Sequence, residues 1–220
     1  MLQYLKDPNF WVSFISVCIA LFALYQSIKQ TKISNKQSLF DRRMENYSLF
    51  RELFKSYSKS RDLLLDNDEL YEEPIIAITM LINTPYLNDI YEAYKKPLDS
   101  NAHKNFLNKY ERLDKCAFEI SVLWDNSTGK TISEFVRVYH ELLFKLYQQR
   151  ICIHTYEKIN KKYSSTPELM MKRERVVEKL EENSKRIKLF ECIKEIDDLY
   201  KKITEEKLDE KLAEKMKFKD

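Results

Sequence analysis

One glycine and five prolines stand among 220 residues. Average usage of roughly 7% would give a chain of this length about 15 glycines. Glycine supplies tight hairpin turns, phosphate-cradling loops and the close backbone approach of dinucleotide sites, so its scarcity argues against barrels, sandwiches, Rossmann units and P-loop folds. The four cysteines, Cys18, Cys116, Cys152 and Cys192, lie far apart and show no C-x-x-C or other ligand spacing, which predicts reduced thiols rather than a disulfide framework. An excess of one charge is lacking too. Thirty-eight Lys and Arg face 35 Asp and Glu, a net of +3, too balanced for a chain whose main partner is a nucleic-acid backbone. What is present is 44% hydrophobic residues, enough for a core, in an all-α chain of helices joined by short breaks.

Residues 9–28, NFWVSFISVCIALFALYQSI, carry no charge. At about 1.5 Å per residue such a stretch covers a hydrocarbon core of roughly 30 Å, so it is predicted to be a transmembrane helix behind a short external tail, residues 1–8. Phe10 and Trp11 at one end and Tyr25 at the other suit the headgroup boundary. Lys29, Lys32, Lys36, Arg42 and Arg43 follow, against the single acid Asp41, whereas the other flank carries only Lys6 beside Asp7. The positive-inside rule therefore places the N-terminus outside and residues 29–220 in the cytoplasm, with a bacterial inner membrane as the expected setting. A cleaved signal peptide would carry its positive charge ahead of the apolar stretch, and a lipoprotein site at Cys18 would need a small residue where Val17 stands. Within this helix Ser13, Ser16, Ala20, Ala23 and Ser27 recur at steps of three and four, a stripe that lets two helix backbones approach in lipid. The other reading is that Ser and Ala are common in membrane helices, and no GxxxG decides between the two.

Beyond the membrane, Ile33, Phe40, Met44, Tyr47, Phe50, Phe54 and Tyr57 continue at helical steps, so the same helix is expected to run on to about Ser60. At about 100° per residue this stripe points about 140° away from the small-residue stripe. One rod would then present one side to a second copy and the other to its own bundle. Residues 35–50, NKQSLFDRRMENYSLF, resemble the juxtamembrane helix of many uncharacterised bacterial single-pass membrane proteins, in which L-F-D-x-R precedes an aromatic four residues on. Leu39, Phe40, Asp41, Arg43 and Tyr47 carry the match. The resemblance covers less than a tenth of the chain, and it implies only the layout of an external tail, one anchor and a cytoplasmic helical domain.

The cytoplasmic part is predicted to be a bundle over 29–163. Pro74 opens PIIAITMLI, and Thr84-Pro85 opens a short helix in YLNDIYEAYKK. Asp99 or Ser100 caps a helix whose core stripe is Phe106, Tyr110, Leu113, Ala117, Ile120 and Trp124. After the turn Asp125–Lys130, Thr131-Ile132-Ser133-Glu134 reads as a capping box for a helix with Phe135, Tyr139, Leu142, Leu146, Tyr147 and Ile151 inward. Ser165-Thr166-Pro167-Glu168 starts another. Residues 168–220 contain no Gly or Pro, and they carry 15 basic and 15 acidic residues around an apolar stripe that includes Val176, Leu180, Ile187, Phe190, Ile193, Ile196, Tyr200 and Leu212. The expectation is one long amphipathic helix over 164–220, with an interruption near Thr204. About 75 Å of helix exceeds what a small bundle covers, so Phe190 and Ile196 are expected to pair with a second copy or a helical partner.

No chemistry-bearing motif survives scrutiny. Gly129-Lys130-Thr131 ends like a phosphate-binding loop, but the glycine required five positions earlier is Trp124. Asp66-Asn67-Asp68 opens like a calcium loop, but Leu70 and Tyr71 occupy the third-ligand and turn-glycine positions. Neither His140 nor His154 has the H-x-x-x-H or E-x-x-H spacing that would put two ligands on one helix face, so no metal or other cofactor is expected. Helical RNases of the HEPN type use an Arg and a His with four to six residues between them, and Arg150 with three residues before His154, like Arg137 with two before His140, falls short of that spacing. Ile75–Ile82 is too short for a second span and is read as core. The resulting expectation is a non-enzymatic, single-pass protein with the lipid bilayer and a helical partner or its own copy as partners. An effector or sensor role in a bacterial stress or antiphage system follows by analogy of layout. The rival readings are a membrane-tethered HEPN-like RNase using Arg150 and His154, and a structural adaptor without a switching role.

Overall fold

A computed structural model describes residues 8–66, 74–124, 126–163 and 182–216. These form seven α-helices and no strand: α1 Pro8–Leu65, α2 Pro74–Leu81, α3 Tyr91–Lys95, α4 Ser100–Leu123, α5 Ser127–Tyr163, α6 Glu182–Glu205 and α7 Leu208–Met216, with a 3-10 turn at Asn88–Ile90 leading into α3. The chain divides into two units, residues 1–44 and 45–220. Helix α1 belongs to both, and its 58 residues hold no glycine and no proline after its first position.

In the second unit α5 is the central helix, with α4 and α6 packed along it. The expected stripe of α4 is its buried face: Phe106, Leu113, Ala117 and Ile120 are inside, and Trp124 follows at its end. Asp99 caps the helix, its carboxylate accepting from the backbone N–H of Asn101 and Ala102 at 3.2 Å each. Helix α5 starts at Ser127 rather than at Thr131. The Asn126 side-chain oxygen accepts from Gly129 N–H at 2.9 Å and takes the capping role that the sequence pattern assigned to Thr131. Gly129 then sits in the first turn, where a Cβ would lie 2.6 Å from the Trp124 Cβ and closer still to the Trp124 carbonyl oxygen.

Helix α2 buries Ala77, Ile78 and Leu81, with Ile82 just beyond it, as core. A helix end leaves carbonyls without intrahelical partners. Here Ser56 of α1 donates toward the carbonyls of Met80 and Leu81 at 2.7 and 2.9 Å, and Tyr139 of α5 donates to that of Leu81 at 2.5 Å. Helix α1 joins this core through Tyr47, Phe50, Leu53, Tyr57 and Leu64. The inward stripe therefore begins at Asn46 and Tyr47 and not at Ile33: Ile33 and Met44 are 56% and 39% exposed.

The C-terminal region departs most from expectation. Residues 164–181, including the start expected at Ser165, lie outside the described residues. From 182 the helix breaks once, at Glu206–Lys207, three residues past the interruption expected near Thr204. Lys207 adopts a left-handed φ of 50°, and the Thr204 hydroxyl donates to the Tyr200 carbonyl at 2.8 Å. The turn brings Leu208, Leu212 and Met216 back onto the bundle, where all three are buried. With Leu189, Cys192, Ile193, Ile196 and Ile203 they share one core with α1, α2, α4 and α5, so the expected division at 163/164 does not separate two domains. Ile196, expected to face another chain, is fully buried in its own, and Phe190 packs half-buried against the same core. The physical reason is that α6 lays its apolar face along α5, leaving Ile187 as the exposed exception at 57%.

Candidate functional site

Along the first unit the apolar side chains of α1 have no protein cover. Val12, Phe14, Ile15, Val17, Ile19, Leu21, Phe22, Leu24 and Tyr25 are each between 53% and 64% exposed. Among the described residues this is the one helix long and apolar enough to cross a membrane, and none of its apolar window is buried. A core helix of a water-soluble fold would instead be covered by its neighbours. Ser13, Ser16, Ala20, Ala23 and Ser27 are exposed with the rest. The Ser16 hydroxyl donates to the Val12 carbonyl at 2.8 Å, and Thr31 likewise to Ser27 at 2.9 Å, so these polar groups are satisfied within the helix. Cys18 is an exposed free thiol on the same stretch.

In the second unit Phe190 lines a shallow groove with Leu64, Leu65 and Ile193, and the charged floor of that groove is a buried cross-tie. Asp197 of α6, 5% exposed at its side chain, accepts from Arg61 Nε at 2.5 Å and Nη2 at 3.3 Å and from Lys201 Nζ at 2.8 Å. Burial alone would raise its pKa, but hydrogen bonds from Arg61 and Lys201 outweigh it and hold the carboxyl below the usual range. The Tyr200 ring stacks on Phe54 at 4.8 Å and meets Tyr57 at 5.4 Å, and the Arg61 guanidinium lies over it at 5.6 Å. All these groups pair α1 with α6.

Arg150 has partners on other parts of the second unit. Arg150 Nε donates to the Tyr94 carbonyl at the end of α3 at 3.1 Å, and Nη1 lies 3.9 Å from Glu157. His154 is half-buried one turn further along α5. His103 has a polar partner on another helix: its Nδ1 lies 2.9 Å from the Tyr147 hydroxyl, which also accepts from Leu98 N–H at 3.3 Å. With the phenol as donor, the ring proton sits on Nε2. Sequence reasoning missed this pair because the partners are 44 residues apart and no spacing rule connects them.

Two buried thiols have raised pKa values. Burial, with Glu119 adding to it, pushes Cys116 up to about 12, and burial pushes Cys192 to about 12 as well, so both stay protonated and inert at neutral pH. Cys152 accepts from Lys185 Nζ at 3.6 Å. Among the described residues no group of three or more His, Cys, Asp or Glu side chains converges as a metal site; Asn67 and Asp68 of the calcium-like stretch lie outside them. Gly129 of the G-K-T triplet is inside the first turn of α5, not in a loop. Comparison of the chain with protein-family models, with curated proteins and with solved structures finds no match.

Proposed function

We propose that the protein is a single-pass membrane protein whose helical domain works by binding rather than by catalysis. The observation that carries this reading is the uncovered apolar stretch of α1, 0% buried, against a second unit with its own closed core. At about 25 cal/mol per Å² of apolar surface, leaving these nine large side chains in water is a cost that a bilayer removes. The basic flank Lys29, Lys32, Lys36, Arg42 and Arg43 favours residues 29–220 on the cytoplasmic side. A binding role fits a domain in which Arg61, Arg137, Arg150 and Asp197 serve as structural ties. By layout, the biology is that of an effector or sensor in a bacterial stress or antiphage system. The test is a pair of fusions at Asp220: a cytoplasmic reporter is expected to be active and a periplasmic phosphatase silent. Phosphatase activity at Asp220 would overturn the orientation, and recovery of both fusions in the soluble fraction would overturn the anchor.

A further inference from the structure

The α4–α5 contact buries a histidine that no acceptor serves. His140 of α5 is 6% exposed, and its ring lies face to face with that of Tyr110 of α4 at a centroid distance of 3.5 Å. Neither Nδ1 nor Nε2 has a hydrogen-bond partner. The Arg137 carbonyl of the preceding turn acts on the ring without completing a bond. Around the pair stand Phe144, 5.1 Å from Tyr110, and Phe106, 6.2 Å from it, so the site is an aromatic layer between the two helices.

We propose that His140 is an acid-operated latch on this interface: as neutral imidazole it packs, and as imidazolium it forces α4 and α5 apart. An imidazolium brings a full charge and two N–H donors into a layer where no acceptor completes a hydrogen bond, and burying unpaired donors and charge is costly. The Tyr110 face offers a cation some attraction but accepts neither N–H in a conventional hydrogen bond. The charged groups acting on the ring are Asp114 of α4 and Glu141 of α5, which favour the cation, and Arg137 of α5, which opposes it. Burial exceeds them all and holds the ring below the usual histidine range.

The sign follows from linkage. As pH falls through about 6.5 the unfolded chain takes up this proton first, while the folded chain resists it, so stability is complete above that pH and declines below it. One proton changes the folding equilibrium by up to about tenfold per pH unit. The carboxylates Glu134 and Asp197 are held below their ordinary range by Arg137 and Arg61, so their loss of pairing belongs to more acidic conditions. The latch does not depend on the membrane reading, since every group in it belongs to α4 and α5.

The full chain in detergent micelles, unfolded with denaturant at pH values from 8 to 5 and followed by tryptophan fluorescence, tests this. The wild-type folding constant is expected to fall by up to about tenfold per unit below pH 6.5. His140→Phe and His140→Gln should both flatten that dependence, and His103→Gln should retain it. A measurement that needs no variant is the titration of the His140 ring by carbon NMR of histidine-labelled wild-type protein. A wild-type slope in both His140 variants, loss of the slope in His103→Gln, or a His140 ring that titrates at or above pH 6.5 would each overturn the proposal.

Discussion

A Cβ at Gly129 would meet the carbonyl oxygen and the Cβ of Trp124, atoms that belong to the end of the preceding helix and have nowhere to move. Two effects oppose each other there. Alanine in the first turns of a helix gains up to about 1 kcal/mol over glycine, whereas forcing atoms into an occupied, backbone-lined space costs about 1–3 kcal/mol. The clash is expected to win, because the obstacle is main chain and not a side chain that can rotate. Gly129→Ala should lower stability by about 1–2 kcal/mol in a denaturant titration; an unchanged or raised midpoint would show that the α4–α5 turn has room. The scarcity of glycine thus carried structural meaning beyond the folds it argued against. The single glycine sits where α4 and α5 meet end to start too closely for a side chain. A glycine in a G-K-T triplet looked like a ligand-loop residue in sequence, and the distinction between those roles needs the position of Trp124.

At the scale of the element, what was legible was what is periodic. The buried face of α4 could be read off because Phe106, Leu113, Ala117, Ile120 and Trp124 recur at 3.6-residue spacing on a helix that buries one side only. Helix starts and breaks were less legible. Asn126 and Thr131 are both acceptable caps on local grounds, and the closeness of α4 chooses between them. The partners of Asp197 were not legible at all, since Arg61 and Tyr57 lie 136 and 140 residues away and pair with it only because α6 crosses α1. The same limitation produced the expectation that Ile196 faces a second chain: an apolar stripe states that a face will be covered, not by what. Its place in the chain's own core changes the expected effect of mutation. Ile196→Ala should cost about 2–5 kcal/mol of folding stability, with a smaller loss for Phe190→Ala at its half-exposed position. Urea unfolding of both variants separates the readings. Full stability with lost self-association in Ile196→Ala would return this residue to an interface between chains.

At the scale of the molecule, the described residues from 45 onward close a core of their own, and none of the apolar window of α1 before them is buried. Ile196 and its buried neighbours on α6 are occupied within the chain, so the described part of the C-terminal region offers less surface for self-association than its apolar stripe suggested. The proposed membrane stretch of α1 becomes the better place to look for a second copy. Its small side chains, Ser13, Ser16, Ala20, Ala23 and Ser27, are all exposed, and in lipid the gain from closer backbone packing is what distinguishes them from the bulky residues beside them. Replacing Ser16, Ala20 and Ala23 with Leu keeps the segment apolar and able to insert but fills the surface along which a second backbone would approach. In a Cys18→Ser background, which removes the exposed native thiol, a cysteine placed at Ser13 should crosslink between copies in membranes, and the triple Leu variant should abolish that crosslink. Abundance in the membrane fraction and helical content should stay unchanged, because no core residue is altered. Crosslinking that persists in the triple variant would show that the stripe is compositional chance and that two copies, if they meet, meet through another face of the helix.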